Sequence, residues 1–238
     1  MRKILITNDD GIKAHGLIRL AEAAIKFGEV WVVAPDGQRS AMSQTVTLRR
    51  DIIVKEVDFP VKGVHAYSCD GTPVDCVRIG ALNIIPEGPD YVLAGINYGH
   101  NIASDLQYSA TAGAAFEAAF QKFHAIAFSE DHHDCHEVTD RYLSEILEEL
   151  LDKPLGLNQI WNVNFPGCEL KDCKGVLRDR KVSTAEFYRD RYTGRKISEG
   201  VYSYTLIDAP FITEADEGTD TKAVYSNYVS IGVVTNIS

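Results

Sequence analysis

Arg2-Lys3-Ile4-Leu5-Ile6-Thr7-Asn8-Asp9-Asp10-Gly11 reads as a strand running into a polar turn. Ile4 to Ile6 are three consecutive β-favouring apolar residues with no polar face between them. That pattern belongs to a parallel strand buried between two helical layers. It returns at Val30-Trp31-Val32-Val33, Tyr91-Val92-Leu93 and Ile126-Ala127-Phe128. Helical periods lie between: Leu17, Leu20, Ala21 and Ala24; then Ala114, Ala115, Ala119 and Phe120; then Tyr142, Leu143, Ile146, Leu147, Leu150 and Leu151. Strand, helix and strand at a spacing of about 30 residues read as βαβ units with right-handed crossovers. Residues 1–165 are therefore expected to form a doubly wound, mostly parallel α/β core, Rossmann-like and three-layered.

The texture changes at Pro166. Residues 166–238 show no long helical period, and Tyr192, Tyr202, Tyr204 and Tyr225 among Thr and Val read as strands of an extended β arm. Residues 174–196 carry eight basic and three acidic side chains, against a net charge of −10 for the whole chain. Such a basic stretch suits either a solvated hairpin or an arm docking on an acidic neighbour.

The 238 residues are 45% apolar and 24% charged, which excludes a disordered tail, a collagen-like rod and a disulfide knot. No apolar run approaches the roughly 18 residues of a membrane helix. Three apolar residues followed by acids do not make a secretion signal. The five cysteines are odd in number and none shares CxxC spacing, so reduced thiols and a cytoplasmic location are expected. The acidic balance opposes stable nucleic-acid binding by charge alone, and a phosphate-handling site in such a chain needs a local cation.

Ligands of an open parallel sheet sit beyond the carboxyl ends of its strands. Three Gly-punctuated polar segments follow strands there: Thr7 to Gly11, Ala34 to Ala41, and Gly95 to Asn101. Asp9 and Asp10, adjacent at a strand end, repel one another unless a cation lies between them. An oxygen-only set suits Mg²⁺ or Mn²⁺ rather than zinc. The competing reading makes the two acids caps of the helix near Gly16. Ser40 and Asn97 offer neutral oxygens if they converge with the acids. Ser109 and Thr111 stand where the Ala-rich helix begins, as an anion site or a plain cap.

In order along the chain, Asn8-Asp9-Asp10-Gly11, Ala34-Pro35 with Ser40, Gly71-Thr72-Pro73-Val74-Asp75-Cys76-Val77, Gly95-Ile96-Asn97-Tyr98-Gly99, Asn162-Val163-Asn164-Phe165-Pro166 and Glu217-Gly218-Thr219-Asp220 resemble the SurE family. These survival-protein nucleotidases are metal-dependent 5′/3′-nucleoside monophosphate phosphatases, and the likeness runs from Arg2 to Ile231. The resemblance implies one Mg²⁺ or Mn²⁺ per subunit on Asp9, Asp10, Ser40 and Asn97. It implies a catalytic role for Asp9, Asp10 and Asn97, with Asn101, Ser109 and Thr111 holding phosphate oxygens. It also implies nucleoside monophosphate substrates, short polyphosphate as a further one, and a homodimer or homotetramer that exchanges C-terminal arms. The chain departs from the family pattern at Ala14-His15-Gly16, where Ala-Pro-Gly is usual, and at Ala110, where a glycine is usual.

Other readings fit less well. A receiver domain needs an aspartate where this chain has Asn97. An aspartyl-nucleophile phosphatase needs Asp-x-Asp, and a dinucleotide enzyme needs GxGxxG after the first strand. His132 and His136 have the i, i+4 spacing of a zinc pair, but the segment Asp131 to His136 is polar throughout and reads as a solvated loop and helix start.

Overall fold

Along β1 (Lys3–Thr7), Ile4 and Ile6 point to one face of the sheet and Leu5 to the other, and all three are fully buried. Side-chain alternation thus demands cover on both faces. The computed structural model describes residues 1–185, 191–207 and 215–237. After β1 come α1 (His15–Ala24), β2 (Glu29–Pro35), β3 (Val54–Glu56), β4 (His65–Cys69), α2 (Pro73–Ile79), β5 (Tyr91–Tyr98), α3 (Ala110–Phe120), β6 (His124–Glu130), α4 (Glu137–Leu151), β7 (Gln159–Phe165), β8 (Val176–Leu177), β9 (Arg191–Ser198), β10 (Val201–Ile207), α5 (Asp220–Tyr225) and β11 (Val229–Thr235).

Among the described residues, nine strands form one sheet in the order β3-β4-β2-β1-β5-β6-β7-β11-β8. The six from β4 to β7 are parallel, while β3 and β11 pair antiparallel to their neighbours β4 and β7. One face packs on α1 and α4 through Leu17, Leu20, Ile146 and Leu150. The other packs on α2 and α3 through Cys76, Val77, Ala115 and Phe116. The three-layer α/β arrangement is the one the short apolar runs require. From β1 the chain moves outward through β2 to β4, then returns to β5 on the opposite side of β1. The crevice between the carboxyl ends of β1 and β5 is therefore the switch point.

Residues after Pro166 divide between core and arm. β11 extends the main sheet and buries Val229 and Ile231. β9 and β10 form a separate antiparallel hairpin that carries Tyr192, Tyr202 and Tyr204 exposed. Tyr225 does not lie in a strand. It ends α5, a short helix started by the Thr219 hydroxyl, which accepts from Lys222 N–H. Residues 186–190 of the basic stretch lie outside the described residues, as do 208–214. All five cysteines are free thiols. No helix among the described residues is long and apolar enough to cross a membrane.

Candidate active site

The turn after β1 is built by Asn8. Its side-chain oxygen accepts the Gly11 N–H (3.2 Å) and its amide donates to the Gly11 carbonyl (3.1 Å). Gly11 has φ +101°, and a Cβ there would lie 3.1 Å from Gly37 Cα, so glycine lets the loops after β1 and β2 meet. They are joined by Arg39 N–H to Asp9 O (2.6 Å) and Ile12 N–H to Pro35 O (2.8 Å). The N-cap position of α1 is Ala14, with no side-chain cap, so Asp9 and Asp10 do not cap it.

Gly95 to Tyr98 is not a loop but the irregular end of β5, with a register shift between Ala94 and Asn97. Gly95 has φ +137°, and a Cβ there would stand 2.3 Å from Phe128 O. This break turns Asn97 to the crevice. Its amide nitrogen donates to Gly99 O (2.8 Å), which turns the side-chain oxygen the other way. The loop carrying Ser40 is held at a distance along the chain: a Cβ on Gly113 would meet Ser43 O at 2.4 Å, and Ser43 Oγ donates to Gln107 O (2.8 Å). Bare backbone at Gly113 thus lets that loop lie on α3.

A cavity of about 260 Å³ opens at this corner. Asp9, Ser40, Asn97, Asn101 and Ser109 all line it. Asp10 faces the adjoining cavity, and its Oδ2 accepts Tyr98 N–H (3.2 Å). Thr111 is fully buried and does not line the cavity; its hydroxyl donates to Asp9 Oδ1 (2.7 Å). Ser109 caps α3, accepting Ala112 N–H (3.0 Å). Asn101 is buried in an amide cluster: its side chain donates to Ser129 Oγ (2.7 Å), its N–H to Asn164 Oδ1 (2.8 Å), and its carbonyl accepts from Asn162 (2.9 Å).

Burial pushes the Asp9 carboxyl up to about 7, with Asp10 adding to the rise and the Thr111 hydroxyl opposing it. Burial also raises Asp10, opposed by the Tyr98 N–H. Among the described residues, the cavity lining contains Asp9 and Asp105 but no lysine or arginine. Two adjacent, desolvated carboxylates, one of them lining the cavity with the oxygens of Ser40 and Asn97, are donors that fit a hard dication.

Several lining residues carry no active-site role in the sequence reading: Asp105, Tyr108, His100 and Tyr225, together with Tyr98, which lies inside a family motif, and His132, whose segment reads as a solvated loop. Asp105 lies on a short 3₁₀ turn (Ala103–Gln107) within the segment leading to α3, so that segment's position was its only signal. Tyr225 reaches the cavity from α5, more than a hundred residues away, and no local pattern announces it. His132 and His136 separate. Residues 131–135 form no helix, so the i, i+4 rule does not apply; His136 instead sits at the start of α4, its Nδ1 3.2 Å from Glu130 Oε1.

Other motifs serve the frame. Thr72 and Asp75 form a reciprocal capping box on α2, and Asp75 also accepts Thr47 N–H (3.1 Å). Asp220 is buried and accepts N–H groups of Ala103 (3.1 Å) and Ser183 (2.9 Å), tying the approach to α3 to the C-terminal segment.

The family profile described as Survival protein SurE matches residues 4–187. A protein of Clostridium botulinum (strain ATCC 19397 / Type A) named 5′-nucleotidase SurE is 35% identical over 232 residues, covering 96% of this chain and 90% of the relative. A protein of the same name from Thermoanaerobacter sp. (strain X514) is 36% identical over 233 residues, with 96% and 90% covered. The crystal structure of the SurE protein from Aquifex aeolicus superposes with a TM-score of 0.83 at 30% identity, covering 99% of this chain and 94% of that one. With a profile match over most of its length and relatives above 30% identity over nearly all of it, the chain belongs to the SurE family.

Proposed function

We propose that this protein is a metal-dependent phosphatase that hydrolyses nucleoside 5′- and 3′-monophosphates to nucleoside and phosphate, with short polyphosphate as a further substrate. The observation that carries the reading is the make-up of the cavity: Asp9 and Asp105 line it beside hydroxyl and amide groups and two histidines, and no described lysine or arginine does. A cation held by those acids would offset the charge of a phosphate ester. The names of the relatives supply the substrate class.

Asp9, Asp10, Ser40 and Asn97 would hold one Mg²⁺ or Mn²⁺ per subunit. Such an ion supplies Lewis-acid polarisation of a phosphoryl oxygen and acidifies water for in-line attack. Asp9 and Asp10 bring the negative charge that fixes the ion, and one of them orients the attacking water. Asn97 presents its side-chain oxygen because Gly99 O engages its nitrogen. Asn101 and Ser109, which line the same cavity, would meet the remaining phosphate oxygens. Thr111 is assigned to Asp9 rather than to phosphate, because its hydroxyl lies on that carboxylate and out of the cavity. Residues 191–207 form a ribbon with Tyr192, Tyr202, Tyr204 and Leu206 exposed, a surface that suits exchange with a second copy of the chain in a dimer or tetramer.

Released phosphate from a panel of nucleoside monophosphates and short polyphosphate, with Mg²⁺, Mn²⁺ or chelator, tests the reading. Turnover should need the divalent ion, and Asp9→Ala should abolish it with an unchanged circular dichroism spectrum. Wild-type turnover by that variant would overturn the assignment.

A further inference from the structure

Beyond the oxygen-lined corner, the described residues hold one group of three or more His, Cys, Asp or Glu side chains able to share an ion: Asp131, His132 and His133, with their ligand atoms all within 4.8 Å of one another. They stand on the loop between β6 and α4. Both imidazoles turn Nδ1 toward the same carboxylate oxygen, Asp131 Oδ1; His132 Nδ1 lies 3.2 Å from it, and His133 Nδ1 is in direct contact. Donors bound about 2.0–2.1 Å from a tetrahedral zinc stand roughly 3.3 Å apart, which is the His132–Asp131 separation, while the tighter His133–Asp131 contact opens when both groups bind one ion. The two rings lie 4.2 Å apart between centroids.

The carboxylate at the centre is held in place. A Cβ on Gly167 would come within 2.5 Å of Asp131 Cβ, so the side chain is seated on bare backbone. Oδ1 accepts the His133 N–H (3.0 Å). Oδ2 faces His100 Nδ1 at 3.6 Å, while the other ring nitrogen of His100 donates to Phe165 O (2.8 Å). The backbone N–H on Oδ1 and the glycine seat are outer supports of the kind that orient a ligating carboxylate. The side chains of His132 and His133 are 52% and 66% exposed, so an ion can enter from solvent and complete its shell with water.

We propose that Asp131, His132 and His133 form a second metal site, selective for a borderline transition dication such as Zn²⁺ over Mg²⁺. Two imidazole nitrogens and one carboxylate oxygen suit Zn²⁺, whereas Mg²⁺ prefers oxygen donors alone. His132 also lines the active-site cavity. An ion there would lie beside a cavity whose described lining holds acids and no lysine or arginine. The site does not depend on the nucleotidase reading, because none of its ligands is shared with the Asp9 corner.

The test uses the full chain with no affinity tag, stripped by chelator and kept in saturating Mg²⁺ so that hard-oxygen sites are filled. Zn²⁺ uptake is read by competition with a chromophoric chelator, and the fold of each variant by circular dichroism. The wild type and Asp9→Asn should each take up one equivalent. His133→Ala, His132→Ala and Asp131→Asn should each weaken uptake by on the order of tenfold or more. The proposal is overturned if the wild type takes up no Zn²⁺, if the three loop variants bind as the wild type does, or if Asp9→Asn alone removes binding.

Discussion

Replacing Thr111 by Val keeps the buried volume and removes one hydroxyl, the one that donates to Asp9 Oδ1 at 2.7 Å. A hydrogen bond to a charged group is worth about 1.5–3 kcal/mol, and 1.36 kcal/mol corresponds to one pKa unit, so the Asp9 carboxyl should rise by roughly one to two units. It already stands at about 7 before the change. At pH 7 the ionised fraction of Asp9 would fall from about half to between roughly a tenth and a hundredth. A divalent ion competes with that proton, so the apparent Mn²⁺ affinity should drop roughly 5–50-fold at pH 7 and recover by about pH 9. Mn²⁺ titrations of phosphate release and of heat on binding, at both pH values, measure this. Turnover at saturating Mn²⁺ should change little. Unaltered Mn²⁺ affinity with a raised KM for nucleotide would refute the argument, because it would place the Thr111 hydroxyl on the phosphate instead.

Further tests address stability and framework. Asp9 has a folded pKa of about 7 against an ordinary 3.8, so the native state binds the extra proton; this contribution is complete below about pH 4 and is lost as pH rises through about 7. Chelated wild-type protein should therefore lose about 2–3 kcal/mol of stability relative to Asp9→Asn between pH 5 and pH 8, and Mn²⁺ should reverse the loss; parallel thermal melts with a pH-independent difference would contradict it. Arg19 is buried between Glu130 (2.7 and 3.0 Å) and Asp140 (2.5 Å), so Arg19→Met should cost about 3–5 kcal/mol in urea unfolding by leaving buried Glu130 uncompensated, and adding Glu130→Gln should restore part of it. Gly16→Ala would put a Cβ 2.2 Å from Ile96 O and push on β5 beside Asn97; a loss of about 1–3 kcal/mol together with weaker Mn²⁺ binding is expected, and wild-type metal affinity would show that Asn97 had not moved.

The apolar runs at Ile4, Val30, Tyr91 and Ile126 and the three helical periods were legible because burial on two faces leaves a local signature. So was the pairing of Asp9 with Asp10, since adjacent acids at a strand end are a local electrostatic anomaly. The Gly95 to Tyr98 segment reads as a loop because glycine and asparagine are turn residues, yet tertiary hydrogen bonding to β6 keeps it in the sheet. Tyr225 reads as strand by company, but Thr219 nucleates a helix there. His132 and His136 match a helical spacing in a stretch that is not helical.

The sequence by itself determined the layer architecture, the acid pair and the family, because each is carried by neighbouring residues or by ordered motifs. Tertiary structure alone decided that Thr111 answers to Asp9, that Asn101 is gripped by Asn162 and Asn164, and that Tyr225 and His132 share a cavity with Asp9. Those relations join residues 60 to more than 200 positions apart. Nothing in a local pattern encodes a distance that is set only when the strands take their order in the sheet.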